Sequence, residues 1–406
     1  MNLVTLSLSY IRTQRLTTLL NLLLLALGMA TIVILLLFSA QVQERLARDA
    51  RGIDLVVGAK GSPVQLILST IYHMDVPVGN IALADAKRLM QNRAVKMAIP
   101  LALGDSFRGF RIVGTTADYP EHYGANFLHG HLWQRPMEAV VGATVARKLG
   151  LQIGDTFAGA HGIASAGEAH AGTPYTVVGV LAPTASVLDR LILTGVESVW
   201  AVHAQHEPSR GPTMPGMGSM QKADAEEEVT ALLIRYRSPL AAALLPRAIN
   251  SQTVMQAASP AFETARLLRL LGVGVDALRA FGLLLIFTAG LGVFIALYNA
   301  LKERRYDLAI MRTLGASKAK LLWHILSEGL LLVVFGTAAG FVLGHMGAGV
   351  LGIWLRRTQQ MELSGLVWVT SELWLIGLAL GVGVLAAIVP AIQAYRADIA
   401  ATLAKG

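Results

Sequence analysis

Three groups of residues in this 406-residue chain could do chemistry. The first is a basic, helix-prone segment, Leu301-Lys302-Glu303-Arg304-Arg305-Tyr306-Asp307-Leu308-Ala309-Ile310-Met311-Arg312-Thr313-Leu314-Gly315-Ala316. Leu308, Met311 and Leu314 recur at helical spacing, Arg304, Arg305 and Arg312 can pair with carboxylates, and Gly315 stops the run. A face of this kind seats in a partner's groove; it makes no bonds. The second group is His-rich. His129 and His131 lie two apart near His122, His161, His170, His203 and His206 sit in or beside Ala/Gly/His- and Pro-rich stretches, and Met214, Met217 and Met220 repeat every third residue. Imidazole and thioether suit Zn2+ or copper. The spacing matches no ligand pattern, so the expectation is no metal site, with His129, His131, His161, His170, His203 and His206 as the residues to check. The third is Glu328, inside an apolar run where an ionised side chain is costly. Its expected place is reaching back to the headgroups or paired with an Arg, with His345 at the far interface.

Catalytic machinery is missing from the sequence. No G-x-x-x-x-G-K-[ST] phosphate loop occurs, and Gly58-Ala59-Lys60-Gly61-Ser62 fails its spacing. Neither H-E-x-x-H nor G-x-S-x-G is present. The absence of cysteine excludes disulfides, thiolate metal sites and a Cys nucleophile. No catalytic residue and no bound cofactor are expected on this chain. If ATP drives it, a second subunit must hold the ATP and Mg2+.

The elements that position these groups follow from composition. Hydrophobic residues make up 54% of the chain and charged ones 15%, against about 25% charged in soluble domains. The formal charge of +8 collects beside apolar runs, where Lys and Arg fix orientation, so no nucleic-acid partner is expected. Leu16–Ala40 carries no charge over 25 residues, enough to cross a hydrocarbon core of about 30 Å. It is too long for a cleaved signal peptide. Three more runs follow, Phe281–Leu301, Leu321–Met346 and Leu373–Ile392. The loop after the second run holds Lys302, Arg304, Arg305, Arg312, Lys318 and Lys320 against Glu303 and Asp307, and the tail holds Arg396 and Lys405. Both belong inside with the N-terminus; Arg356 and Arg357 on the outer side oppose this weakly.

The expected architecture is an α-helical membrane protein with four transmembrane helices and a large α+β extracytoplasmic domain between the first and second. Its boundaries read 1–15 inside, 16–40 first span, 41–275 outer domain with two charged stalk helices, 281–301 second span and 302–320 inner coupling loop. Then come 321–346 third span, 347–372 short outer loop, 373–394 fourth span and 395–406 inner tail. In the outer domain Leu55–Val57, Ala98–Leu103, Phe110–Gly114, Ala139–Val141, Tyr175–Leu181, Arg190–Leu193 and Val229–Tyr236 read as strands. Thr144–Leu149, Glu197–His203 and Leu240–Asn250 read as helices, and Ala158–Pro174 and Glu207–Glu227 as mobile loops. Gly336, Gly340 and Gly344 form one small-residue stripe in the spans, and Gly377 with Gly381 a second, suited to close helix packing in lipid.

On these residues the chain resembles the FtsX-like, MacB-type permeases of the type VII ABC transporter superfamily. Residues 298–316 look like the family's E-R-x-x-E-[IL]-[GA]-I-x-[RK]-x-[LI]-G-A, with Asp307 in place of Glu. Glu328 falls where the family often has Glu. Pro390–Ile399 is similar to the closing P-A-x-x-A-x-R-x-x-P, with Ile399 for the last Pro. Residues 113–119 and 140–155 are similar to MacB-type core-domain motifs. The resemblance implies an FtsX-like permease domain over 281–400 in a multi-pass protein of the bacterial inner membrane. It implies a non-catalytic subunit that pairs with a second copy. Glu303, Arg304, Arg305, Asp307, Leu308, Met311, Arg312, Leu314, Gly315 and Ala316 would dock on a separate ABC ATPase that carries ATP and Mg2+. Force would pass to the periplasmic domain, with membrane lipid around the spans and a periplasmic adaptor or substrate-binding protein as a further partner. Two alternatives stay open: a transmembrane regulator of a periplasmic hydrolase, and a Zn or Cu homeostasis component.

Overall fold

A computed structural model describes residues 15–161, 173–204, 227–303, 310–358 and 363–396. Glu44–Arg269 forms one compact unit and the flanking sequence the other. The first helix is α1 (Arg15–Asp49). The inserted domain follows with β1 (Leu55–Ala59), α2 (Pro63–Thr70), β2 (Ile81–Ala82), α3 (Leu83–Met90), β3 (Val95–Phe107), β4 (Phe110–Thr115), α4 (Asp118–His122) and β5 (Phe127–Gly130). It continues through β6 (Glu138–Val141), α5 (Ala143–Leu149), β7 (Thr156–Phe157), β8 (Ala160–His161), β9 (Tyr175–Leu181), a 3-10 turn at Val187–Arg190, β10 (Leu191–Gly195) and α6 (Val196–Ala204). After β11 (Glu228–Val229), β12 (Ala231–Tyr236), α7 (Pro239–Gln252) and β13 (Met255–Ala258) come the long helices α8 (Pro260–Glu303), α9 (Lys318–Thr358) and α10 (Ser371–Arg396).

One 11-stranded mixed sheet organises the domain, in the order β13-β1-β12-β3-β4-β10-β6-β9-β5, with β7 on β9 and β8 on β3. Successive side chains of a strand point to opposite faces, and here both faces are covered. Val56, Val113, Val140, Leu191, Leu193 and Leu233 enter one core with Ile67, Tyr72 and Tyr119. Their chain neighbours Leu55, Val57, Leu232 and Ile234 enter a second core, and Ile112, Val141 and Ile192 a third. Burial on both sides is why these strands read as continuous apolar runs. All seven strands and three helices expected in the domain are present. The sequence pattern missed α2, α3, α4, β2, β5, β7, β8 and β13. α2 is a run of only 8 residues, opened by Pro63 with Ser62 as its cap, too short for a helical period to show. Residues 162–172 and 205–226 of the expected mobile loops lie outside the described residues.

Among the described residues, four helices are long and apolar enough to cross a membrane. A Cβ on Gly340 would come 2.5 Å from Met29 Cβ and 2.6 Å from the Ala26 carbonyl. Gly336 faces Leu25 and Gly344 faces Val33, so α9 runs parallel to α1. α8 runs antiparallel to α1, with Gly282 against Ile32 and Gly292 against Asn21. α10 runs antiparallel to α9, with Gly383 against Val333 and Ala387 against Gly329. Gly377 and Gly381, expected to pack, meet nothing within 4 Å, and Gly383 makes that contact instead.

Gly340→Leu is expected to cost about 1–3 kcal/mol through overpacking, read as a thermal-melting midpoint several degrees lower in detergent. Gly377→Leu in the same assay should leave the monomer's midpoint unchanged.

Candidate functional site

Residues 310–313 form the last helical turn of the basic segment, and Gly315 closes it at φ +98. The Ala316 N–H donates to the Met311 carbonyl at 3.0 Å and the Gly315 N–H to the Arg312 carbonyl at 3.1 Å, the two bonds of a Schellman cap. Only glycine takes this left-handed geometry without a Cβ clash. Ser317 then caps the next helix, its Oγ accepting from the Lys320 N–H at 3.3 Å. One helix therefore stops and α9 starts within a few residues, with no slack between them.

Around this elbow, Met311 is partly buried against Leu297, Leu301, Leu321 and Ile325. The expectation placed it in a partner's groove; within this chain it packs partly against the neighbouring helices. Leu314 is 82% exposed. Glu303 is an exposed residue at the end of α8, Arg312 lies beside Met311 and Ala316 follows the cap. Arg304, Arg305, Asp307 and Leu308 lie outside the described residues. Cation–π contacts line this end of the unit: Lys302 Nζ is 4.9 Å from the Tyr298 ring and Lys318 Nζ is 5.8 Å from the Tyr395 ring.

Glu328 is buried in the helical unit, and so is His324 one turn earlier on the same face. The carboxylate therefore turns into the bundle and does not reach outward to the headgroups. Toward the other end of α9, His345 is more than interfacial. Its Nδ1 lies 2.6 Å from the Gly365 carbonyl, its Nε2 lies 3.4 Å from Glu372 Oε2, and Phe341 and Trp368 pack on the ring at 4.4 Å and 5.6 Å. Glu372 is fully buried. Sequence reasoning missed it because an acid in the first turn of a helix reads as a response to the helix dipole.

His129 and His131 are exposed, with His131 Nδ1 held 2.8 Å from the Leu132 carbonyl. His161 lies on β8 opposite Asp105, His203 lies in α6, and His170 and His206 are outside the described residues. Among the described residues no three His, Cys, Asp or Glu side chains converge on a metal position. Among the described residues, His73 packs at the domain core although the sequence did not flag it. Burial first, then Arg111 and Arg190, hold it well below the usual imidazole range.

Residues 18–242, more than half of the chain, match the MacB-like periplasmic core domain, and residues 279–399 match the FtsX-like permease C-terminal domain. The chain belongs to the ABC transporter permeases of this FtsX/MacB type. An uncharacterised ABC transporter permease protein of Mycobacterium tuberculosis (strain ATCC 25618 / H37Rv) is 30% identical over 288 residues. That alignment takes in 68% of this chain, and the chain spans 30% of the relative's length. The crystal structure of the periplasmic region of MacB from Actinobacillus actinomycetemcomitans aligns at 13% identity and a TM-score of 0.34, covering 54% of this chain and 95% of that one. The extracellular domain of the noncanonic ABC-type transporter YknZ from Gram-positive bacteria aligns at 14% identity and 0.29, covering 50% and 98%.

Gly315→Val places a β-branched residue in the left-handed region, at a cost of about 1–2 kcal/mol. Hydrogen exchange should show the Gly315 and Ala316 amides opening about tenfold faster, with the centre of α9 unaffected.

Proposed function

We propose that this chain is the membrane subunit through which a separate ATP-hydrolysing subunit moves a periplasmic domain, for export, extraction or efflux of a substrate. The observation that carries this reading is the capped elbow. It presents exposed Leu314 on a rigid turn among Lys302, Arg312, Lys318 and Lys320. The alternating helix directions put the elbow at the end of the bundle opposite to the one from which α1 leaves for the inserted domain. Leu314 enters an apolar groove of the ATPase and the basic residues meet its acidic rim. Closure of the ATPase then displaces α9, because the capped turn leads directly into it. ATP and Mg2+ sit on the partner and this chain supplies no catalytic group.

In this reading both termini and the elbow face the cytoplasm and the inserted domain faces the periplasm. Two copies pair, with the open face of Gly377 and Gly381 available for the second copy. A periplasmic adaptor or substrate-binding protein meets the domain.

The test uses the absence of native cysteine. In Ser317→Cys, a membrane-impermeant maleimide should react only from the cytoplasmic side; labelling confined to the outside would overturn the proposal. Leu314→Glu should abolish stimulation of the co-purified ATPase while membrane insertion and melting stay as in the parent chain. Full stimulation in that variant would remove Leu314 from the docking surface.

A further inference from the structure

The two long helices that enter and leave the inserted domain meet at one side chain. Tyr72, just after α2, is 1% exposed. Its hydroxyl lies 2.7 Å from Thr264 Oγ1 on α8 and 3.4 Å from the Leu46 carbonyl on α1. A carbonyl only accepts, so the phenol donates to Leu46 and the Thr264 hydroxyl donates to the phenol oxygen. A buried tyrosine is most often a space-filler with a satisfied hydroxyl. Here, however, its partners belong to the backbone of one helix and the side chain of the other, 218 residues apart in the chain.

Three more contacts hold the last turn of α1, and a fourth holds Arg51 just beyond it. Asp49 is buried with its Oδ2 3.5 Å from Arg190 Nη2, and its carbonyl accepts from the Tyr123 hydroxyl at 2.6 Å. Arg48 Nη1 donates to the Ala185 carbonyl at 3.1 Å, and His122 Nε2 donates to the Arg51 carbonyl at 2.8 Å. The backbones beside this cluster are unusual. His73 and Ala185 sit at φ 52 and 55, a region that non-glycine residues hold only where their surroundings over-determine it. Burial keeps the Tyr72 phenol above its ordinary pKa, a neutral donor throughout the physiological range.

We propose that Tyr72 is a positioning residue that clasps α1 to α8 where they join the inserted domain, so that the helix pair moves the domain as one lever. The clasp rests on the reading that force reaches the domain through these helices, and its test separates the two.

The full chain in nanodiscs carries spin labels at Ala47→Cys and Ala265→Cys, both exposed positions. The parent chain should give a single narrow distance distribution. Tyr72→Phe keeps the volume and removes the bridge, so the distribution should broaden. Exchange of the Asp49 and Ala50 amides should rise about tenfold, the equivalent of one buried hydrogen bond. Thr264→Val should do the same, and the double variant should add little. Tyr119→Phe loses a buried hydrogen bond to His73 at 3.1 Å in the same core, yet should leave the distances unchanged. Equal broadening by Tyr72→Phe and Tyr119→Phe would reduce Tyr72 to general core stability, and no broadening by Tyr72→Phe would end the clasp. These readouts need no ATP. With the ATPase present, a parent chain that fails to respond to nucleotide would sink the proposed function and leave the clasp standing. A Tyr72→Phe chain whose partner ATPase still hydrolyses ATP while the inserted domain no longer moves supports both.

Discussion

How closely two backbones can approach decides the helical unit. In lipid there is no hydrophobic force to press one helix on another, so contact and dispersion must supply the association. α9 meets α1 along Gly336, Gly340 and Gly344, where any Cβ would strike Leu25, Met29 or Val33. That seam fixes α9 against α1. α8 then lies against α1 through Gly282 and Gly292, and α10 against α9 through Gly383. The alternation of helix directions, and with it the placement of the elbow, follows from these approaches.

The inserted domain obeys a different constraint. Its sheet is covered on both faces, so each strand position is committed to one core or another and a register slip of one residue would exchange them. A body packed this way resists internal shear. Asp49, Arg190 and Tyr123 surround the close of α1, while the centre of the sheet is aliphatic.

The spans were legible because an uncharged run such as Leu16–Ala40 has few other uses. The elbow was legible because Gly315 stops a basic, helix-prone run set between two apolar ones. The strands were legible where Val, Ile and Leu run between turn residues. What could not be read was direction. Helical spacing identified Met311, Leu308 and Leu314 as one face, but only packing shows Met311 turned toward Leu297 and Leu321. Gly377 and Gly381 have the same spacing as Gly340 and Gly344, and spacing grants the capacity for close approach without naming a neighbour. Glu372 and Tyr72 depend on partners far along the chain, which no local pattern encodes.

The far end of the bundle has a chemical consequence that follows from His345. The Gly365 carbonyl can only accept, so the His345 Nδ1 that faces it carries a hydrogen, while Nε2 lies against the buried Glu372 carboxyl. With Phe341 and Trp368 packed on the ring, the imidazole joins α9 to α10 by a polar tether, a link of a kind that small-residue packing does not supply.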